Sequence, residues 1–135
     1  MPIVKAELRV SWWFLAAAAV SLITSAIHVL AGTPEIMSPL LASSLPPVVK
    51  SVVDVMWHQI TALLLIGSGA SLVASARPAW RLPVAILIGG QFALIAVLFL
   101  ALGAMWFSSP WPMPQWVLFG GMAALLLVGY QRSAA

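Results

Sequence analysis

The chain has 135 residues, of which 63% are hydrophobic and 7% are charged, with a formal net charge of +3. Soluble domains carry about 25% charged residues, so a chain of this composition is expected to lie in a lipid bilayer. It contains no cysteine, which excludes disulfides, iron–sulfur clusters and thiolate metal sites. The basic residues are dispersed along the chain, so the positive charge gives no reason to expect nucleic-acid binding.

Four apolar stretches are long enough to form transmembrane helices, because a helix needs about 20 mostly apolar residues to cross a bilayer. We place these spans at about 10–31, 55–76, 82–105 and 114–130. The second and third connections are short, which favours antiparallel neighbours. The sequence therefore predicts an all-α integral membrane protein. It forms one domain, 1–135, built as an antiparallel up-down four-transmembrane-helix bundle.

The long first loop, 32–47, contains signals for the start of a helix. Thr33, Pro34 and Glu35 match an N-cap residue, a proline at the first helical position and an acid in the first turn. We expect a short interfacial helix in this outer loop. Pro47 then starts the helix of the second span ahead of its apolar part.

The placement of basic residues predicts the orientation, because cytoplasmic loops are enriched in lysine and arginine. Five of the six basic residues fall on one side of a four-span topology, and these are Lys5, Arg9, Arg77, Arg81 and Arg132. Only Lys50 falls on the other side. We expect a multi-pass protein of a bacterial inner membrane, with both termini in the cytoplasm.

Ionisable residues within a bilayer are costly, so they are candidates for function. His28 lies about one turn from the outer end of the first span, and His58 lies at a similar depth in the second. Asp54 precedes His58 by four residues, which places both on one face of a helix. Antiparallel neighbours would bring the two histidines face to face in the outer leaflet.

Two polar stripes with helical spacing support this expectation. One stripe runs along the second span at Lys50, Asp54, His58 and Thr61. The other runs along the first span at Ser21, Thr24, Ser25 and His28. We expect the two stripes to face each other, because lipid would disfavour both.

Several chemistries fit such a site. His28, His58 and Asp54 are suitable ligands for a transition metal, and the two histidines could instead hold a haem between them. The imidazoles could also relay protons, since they exchange protons near neutral pH. They could bind a quinone or a lipid head group, with Trp57 as a stacking wall. Glu35, Lys50 and Thr61 are further polar candidates.

A purely structural interpretation stands beside these. Each histidine could hydrogen-bond a serine or a backbone carbonyl, and Asp54 could pair with Lys50 at the membrane surface.

Our leading prediction is a small polytopic membrane protein with a polar outer-leaflet site that binds a metal or haem through His28 and His58. The alternatives are an accessory or scaffold subunit of a larger membrane complex and a small transporter subunit. The sequence has no HExxH, P-loop, dinucleotide-binding or nucleophile-elbow motif, so we expect no catalytic activity. The expected partners are the lipid bilayer and either further copies of the chain or a larger complex.

Overall fold

The structure, a computed structural model, describes residues 10–134. Every regular element in this range is helical, which confirms the predicted all-α class. The α-helices are α1 Trp12–Leu30, α2 Ser38–Ala42, α3 Pro47–Ala76, α4 Arg81–Phe107 and α5 Gln115–Ala134. A π-helical turn at Thr33–Met37 precedes α2, and a 3-10 turn at Pro78–Trp80 precedes α4. Lys5 and Arg9, which support the predicted orientation, lie outside the described residues.

The surface of these helices suits lipid. Within residues 10–134, three helical stretches are long and apolar enough to cross a bilayer: Trp12–Ala42, Pro47–Ala76 and Pro78–Phe107. Large apolar side chains such as Leu30, Leu87 and Met105 are at least 70% exposed. So much exposed apolar surface is unfavourable in water and suits hydrocarbon. The chain is a membrane protein on this evidence.

The predicted helix ends lie close to the observed ones, with one exception. The spans predicted at 10–31, 82–105 and 114–130 correspond to α1, α4 and α5, and α3 starts at Pro47 as expected. The short helix expected in loop 32–47 is present as α2, but it is not separate from the first span, because the helical path continues from Trp12 to Ala42.

Proline chemistry explains why the path continues as a π-helical turn. Pro34 has no N–H to donate, and its ring would clash with the carbonyl four residues earlier. The helix widens there, so that the N–H of Ser38 bonds to the carbonyl of Thr33, five residues back. Glu35 keeps a long bond, 3.4 Å, from its N–H to the carbonyl of Ala31.

Helices α1 and α3 run in opposite directions along their shared contact. The N–H of Ser11 donates to the carbonyl of Ser75, which joins the start of α1 to the end of α3. Two to three turns further on, Ser68 Oγ donates to Ala18 O at 2.9 Å, and Ser21 Oγ donates to Leu64 O at 2.7 Å. Hydroxyls that bond a neighbouring backbone stabilise helix pairs in an apolar environment.

Glycines allow two close approaches between helices. A Cβ added at Gly67 of α3 would lie 2.6 Å from the ring of Phe92 on α4. A Cβ at Gly129 of α5 would lie 2.7 Å from Trp13 Cβ and 3.0 Å from the ring of Phe14 on α1. These contacts surround a core of fully buried apolar side chains, which includes Phe14, Leu64, Phe92, Met122 and Leu126.

The molecule has two different ends. The turn end carries Pro78–Trp80, where Arg81 is buried and donates to the carbonyls of Ala74 and Ser75. The loop end carries residues 31–46 and 108–114. At the turn end α3 and α4 meet through Gly67 and Phe92, whereas beyond Leu64 a cavity separates α3 from α4 and α5.

Candidate functional site

His28 is fixed by Trp57 of α3. Its Nε2 lies 3.1 Å from the carbonyl oxygen of Trp57, and its ring stacks on the indole with centroids 3.8 Å apart. The ring is half-buried. Thr61 Oγ1 also donates to the Trp57 carbonyl, at 3.3 Å, so one backbone oxygen accepts two side-chain bonds. The imidazole therefore forms part of a rigid wall.

The indole of Trp57 is held from a second direction by the backbone of Gly32. A Cβ added at Gly32 would lie 2.6 Å from Trp57 Cη2, closer than real Cβ contacts. Only glycine leaves room for the ring at this point, immediately before the π-helical turn. Trp57 is thus confined between His28 and the start of the Thr33–Met37 turn.

His58 lies on another face of α3. Its Nε2 is 3.6 Å from Asp54 Oδ1, and the two side chains are 75% and 46% exposed. Lys50 Nζ donates to the carbonyl of Leu41 at 2.8 Å, which ties the start of α3 to the end of α2. The Lys50, Asp54 and His58 part of the polar stripe of α3 is therefore exposed or locally bonded, and only Thr61 shares a bonding partner with α1.

The polar stripe of α1 does face inward, since Ser21, Thr24 and Ser25 are buried. The residue that meets His28 is Trp57, and the next residue of a helix points about 100° away. This geometry directs His58 away from His28, contrary to the expectation that the two histidines face each other. Within residues 10–134, no three His, Cys, Asp or Glu side chains are grouped as metal ligands would be.

A cavity of about 560 Å³ lies beside His28, at the loop end. Side chains of α1, α3, α4 and α5 line it together with residues of both loop-end connections. It is partly open, and most of its wall is apolar, as contributed by Ile27, Ile60, Phe99 and Phe119. Its polar side chains are Thr24, His28, Glu35 and Gln115, together with the indole N–H of Trp57.

Two polar atoms near the start of α5 have no hydrogen-bond partner in the described part of the chain. Gln115 Oε1 and Trp116 Nε1 are both buried and unpaired. Buried polar groups are nearly always paired, so unpaired ones mark a site of function or of a missing partner. Sequence reasoning missed Gln115, because a single glutamine at a helix start has no recognisable spacing.

The connection that closes the loop end is shaped by Ser108 and Gly103. Ser108 adopts a left-handed conformation, φ 54°, directly after α4. A Cβ at Gly103 would lie 3.2 Å from the backbone of Ser109 and Pro110. This close return of the chain brings Pro112 and Met113 to the cavity wall.

No family model, curated protein or solved structure matches this chain.

Proposed function

We propose that this chain is a small multi-pass membrane protein that binds an apolar molecule with a polar head group, of the quinone or lipid class. The cavity beside His28, with a volume of about 560 Å³, carries this proposal. Binding sites for small molecules measure about 300–1,000 Å³ and are mostly apolar, with a few polar groups that orient the ligand. This is a binding function, and we assign no catalytic step to it.

The lining favours a ligand that arrives from the membrane. Ile60, Leu64 and Phe119 offer apolar contact to the body of the ligand, and the cavity is partly open. The polar groups that could receive a head group are few and belong to Thr24, His28, Glu35, Trp57 and Gln115. An amphipathic molecule already dissolved in the bilayer matches this distribution.

The wall around His28 is preorganised. Because Trp57 stacks on the imidazole and its carbonyl binds Nε2, the ring is held without a ligand. A group that is already fixed loses little conformational entropy when the ligand binds. This supports a direct contact between the head group and His28.

We further propose a four-span topology in a bacterial inner membrane, with both termini in the cytoplasm and the cavity in the outer leaflet. In this topology α5 forms the fourth span, and α2 lies at the outer interface. The apolar part of α5, 116–130, covers about 22 Å at 1.5 Å per residue, so this span is short for a hydrocarbon core of about 30 Å. The basic side chains of Arg77 and Arg81 at the turn end support a cytoplasmic location for that end.

Metal or haem ligation by His28 and His58 stays a prediction. The geometry favours it less than the binding of an apolar molecule. His28 Nε2 already binds the Trp57 carbonyl, and the exposed His58 pairs with Asp54 instead. Elemental analysis of the purified protein beside a His28→Ala/His58→Ala variant tests this alternative. Near-stoichiometric iron, zinc or copper that is lost in the variant would replace our proposal. The accessory-subunit and transporter alternatives also stay predictions.

Analysis of co-purified molecules tests the ligand-binding proposal. The protein is purified from bacterial membranes in mild detergent and extracted with organic solvent, and the apolar molecules are quantified by mass spectrometry. We expect one species near one molecule per chain. The Ile60→Trp variant should lose it, because the indole fills the cavity that Ile60 lines.

Ile66→Trp is the matched control. Ile66 lies on the same helix and is 62% exposed, so the same added bulk lies outside the cavity. Circular dichroism and gel filtration should show that both variants fold. Identical extracts from the two variants would overturn the proposal.

A further inference from the structure

Three polar side chains of the cavity, Thr24, His28 and Glu35, offer no donor to a ligand, because their donors are used inside the protein or do not exist. Thr24 Oγ1 donates its proton to Val20 O at 2.8 Å. His28 Nε2 lies 3.1 Å from the carbonyl oxygen of Trp57, and because a carbonyl only accepts, Nε2 carries the proton. An ionised Glu35 carboxylate has acceptors only.

Acceptors therefore remain for a ligand. A neutral imidazole that donates through Nε2 accepts through Nδ1. No partner binds Nδ1 among the described residues, and it is not one of their buried unpaired atoms. The oxygen of Thr24 keeps lone pairs after its proton is used. Gln115 Oε1, on the same cavity, is an acceptor without a partner.

We infer that the cavity selects an apolar molecule whose head group is a hydroxyl donor, such as a phenol, a hydroquinone or a long-chain alcohol. This inference rests on the proposed function and specifies the ligand class. A quinone carbonyl, an ester or a phosphate would place acceptors against the free acceptors of His28 and Thr24. The carboxylate of Glu35 adds repulsion against a phosphate.

The difference in affinity between a head group that donates and one that only accepts is measurable, because the second leaves acceptors of the cavity unpaired in an apolar site. A ligand hydroxyl that satisfies one acceptor should bind about 10-fold tighter than an analogue that cannot donate. The comparison requires two probes with the same apolar body and different donor capacity. Para-nonylphenol and its methyl ether, para-nonylanisole, form such a pair.

Native mass spectrometry of the intact chain, released from detergent in the presence of both probes at equal concentration, separates the two adducts by mass. We expect the phenol adduct to exceed the ether adduct about 10-fold. The His28→Phe variant retains a ring that can stack on Trp57 but has no acceptor. This variant should lose most of the preference for the phenol, with only the acceptors of Thr24 and Gln115 left to hold it. Gln91→Ala, an exposed change on α4, should keep the wild-type preference.

The outcomes separate this inference from the proposed function. Equal binding of both probes, or a preference for the ether, would overturn the hydroxyl inference and leave the ligand-binding proposal intact. No adduct with either probe would contradict both. If the His28→Phe variant keeps the wild-type preference for the phenol over the ether, His28 is not the acceptor that the hydroxyl binds. A dodecylammonium adduct that exceeds the phenol adduct at equal concentration would mean that the cavity selects a cation, and the hydroxyl inference would fail.

Discussion

The indole of Trp57 stacks on the imidazole of His28, with planes inclined by 24°, and the carbonyl of the same residue binds the imidazole Nε2. One residue of α3 thus fixes the position and the tautomer of a histidine on α1. Nδ1 is left as the ring nitrogen without a bonding partner among the described residues. The following predictions test this arrangement and the fold that supports it.

Trp57→Ala should lower the free energy of unfolding by roughly 2 kcal/mol, because it removes the stack and part of the apolar contact. Trp57→Phe should lower the free energy of unfolding by less, about 1 kcal/mol, since it keeps an aromatic ring against His28. Thermal unfolding in detergent, followed by circular dichroism, measures both. Trp106→Ala is the control, because Trp106 is 75% exposed. An equal loss of stability at Trp106 would contradict the assigned role of Trp57.

Gly32→Ala should destabilise the protein by about 1–3 kcal/mol, because the added Cβ overlaps the indole of Trp57. In the Trp57→Ala background the same change should cost much less, since the ring is gone. The double-mutant cycle should therefore give a coupling energy of about 1 kcal/mol or more. Additive effects would show that Gly32 does not contact Trp57.

Two glycines on one helix should respond differently to alanine. Gly67→Ala should destabilise by about 1–3 kcal/mol, because its Cβ would meet the ring of Phe92 at 2.6 Å. Gly69→Ala should be neutral or stabilising by up to about 1 kcal/mol, because nothing lies within 4 Å and alanine favours the helix. Unfolding curves of both variants under one condition check this. The reverse order would contradict the observed packing of α3 on α4.

Ser108→Gly should stabilise the protein by about 1 kcal/mol. Ser108 ends α4 with φ 54°, a conformation that disfavours residues with a Cβ and suits glycine at a helix end. Ser108→Ala should bring no gain, because it keeps the Cβ. A melting temperature that rises for glycine alone would support this reading. Equal effects of the two substitutions would count against it.

Single cysteines can test the topology, because the natural chain has none. In spheroplasts, a membrane-impermeant maleimide should label Ser44→Cys and Ser108→Cys, which lie on the loop end. It should label Ala79→Cys and Ser133→Cys only after the membrane is permeabilised. Labelling of Ser133→Cys in intact spheroplasts would show that α5 does not cross the membrane.

The sequence predicted the inward face of α1 correctly, because Ser21, Thr24 and Ser25 recur with helical spacing and lipid disfavours them. It did not predict the partner of His28. Matched depth was estimated from residue counts, which locate a side chain along a helix axis. The face on which a side chain lies also depends on how the helix is rotated against its neighbour, and residue counts do not give that rotation.

The sequence by itself determined that this protein lies in a lipid bilayer and that its segments are helical. A chain that is 63% hydrophobic and 7% charged lies in lipid, where unpaired backbone groups are so costly that the segments become helices. Only the tertiary structure decided which residues meet. The close packing of Trp57 against Gly32 and His28 sets the rotation of α3, turns His58 outward and leaves a cavity whose lining comes from four helices. Such contacts join residues far apart in the chain, so no local pattern of residues encodes them.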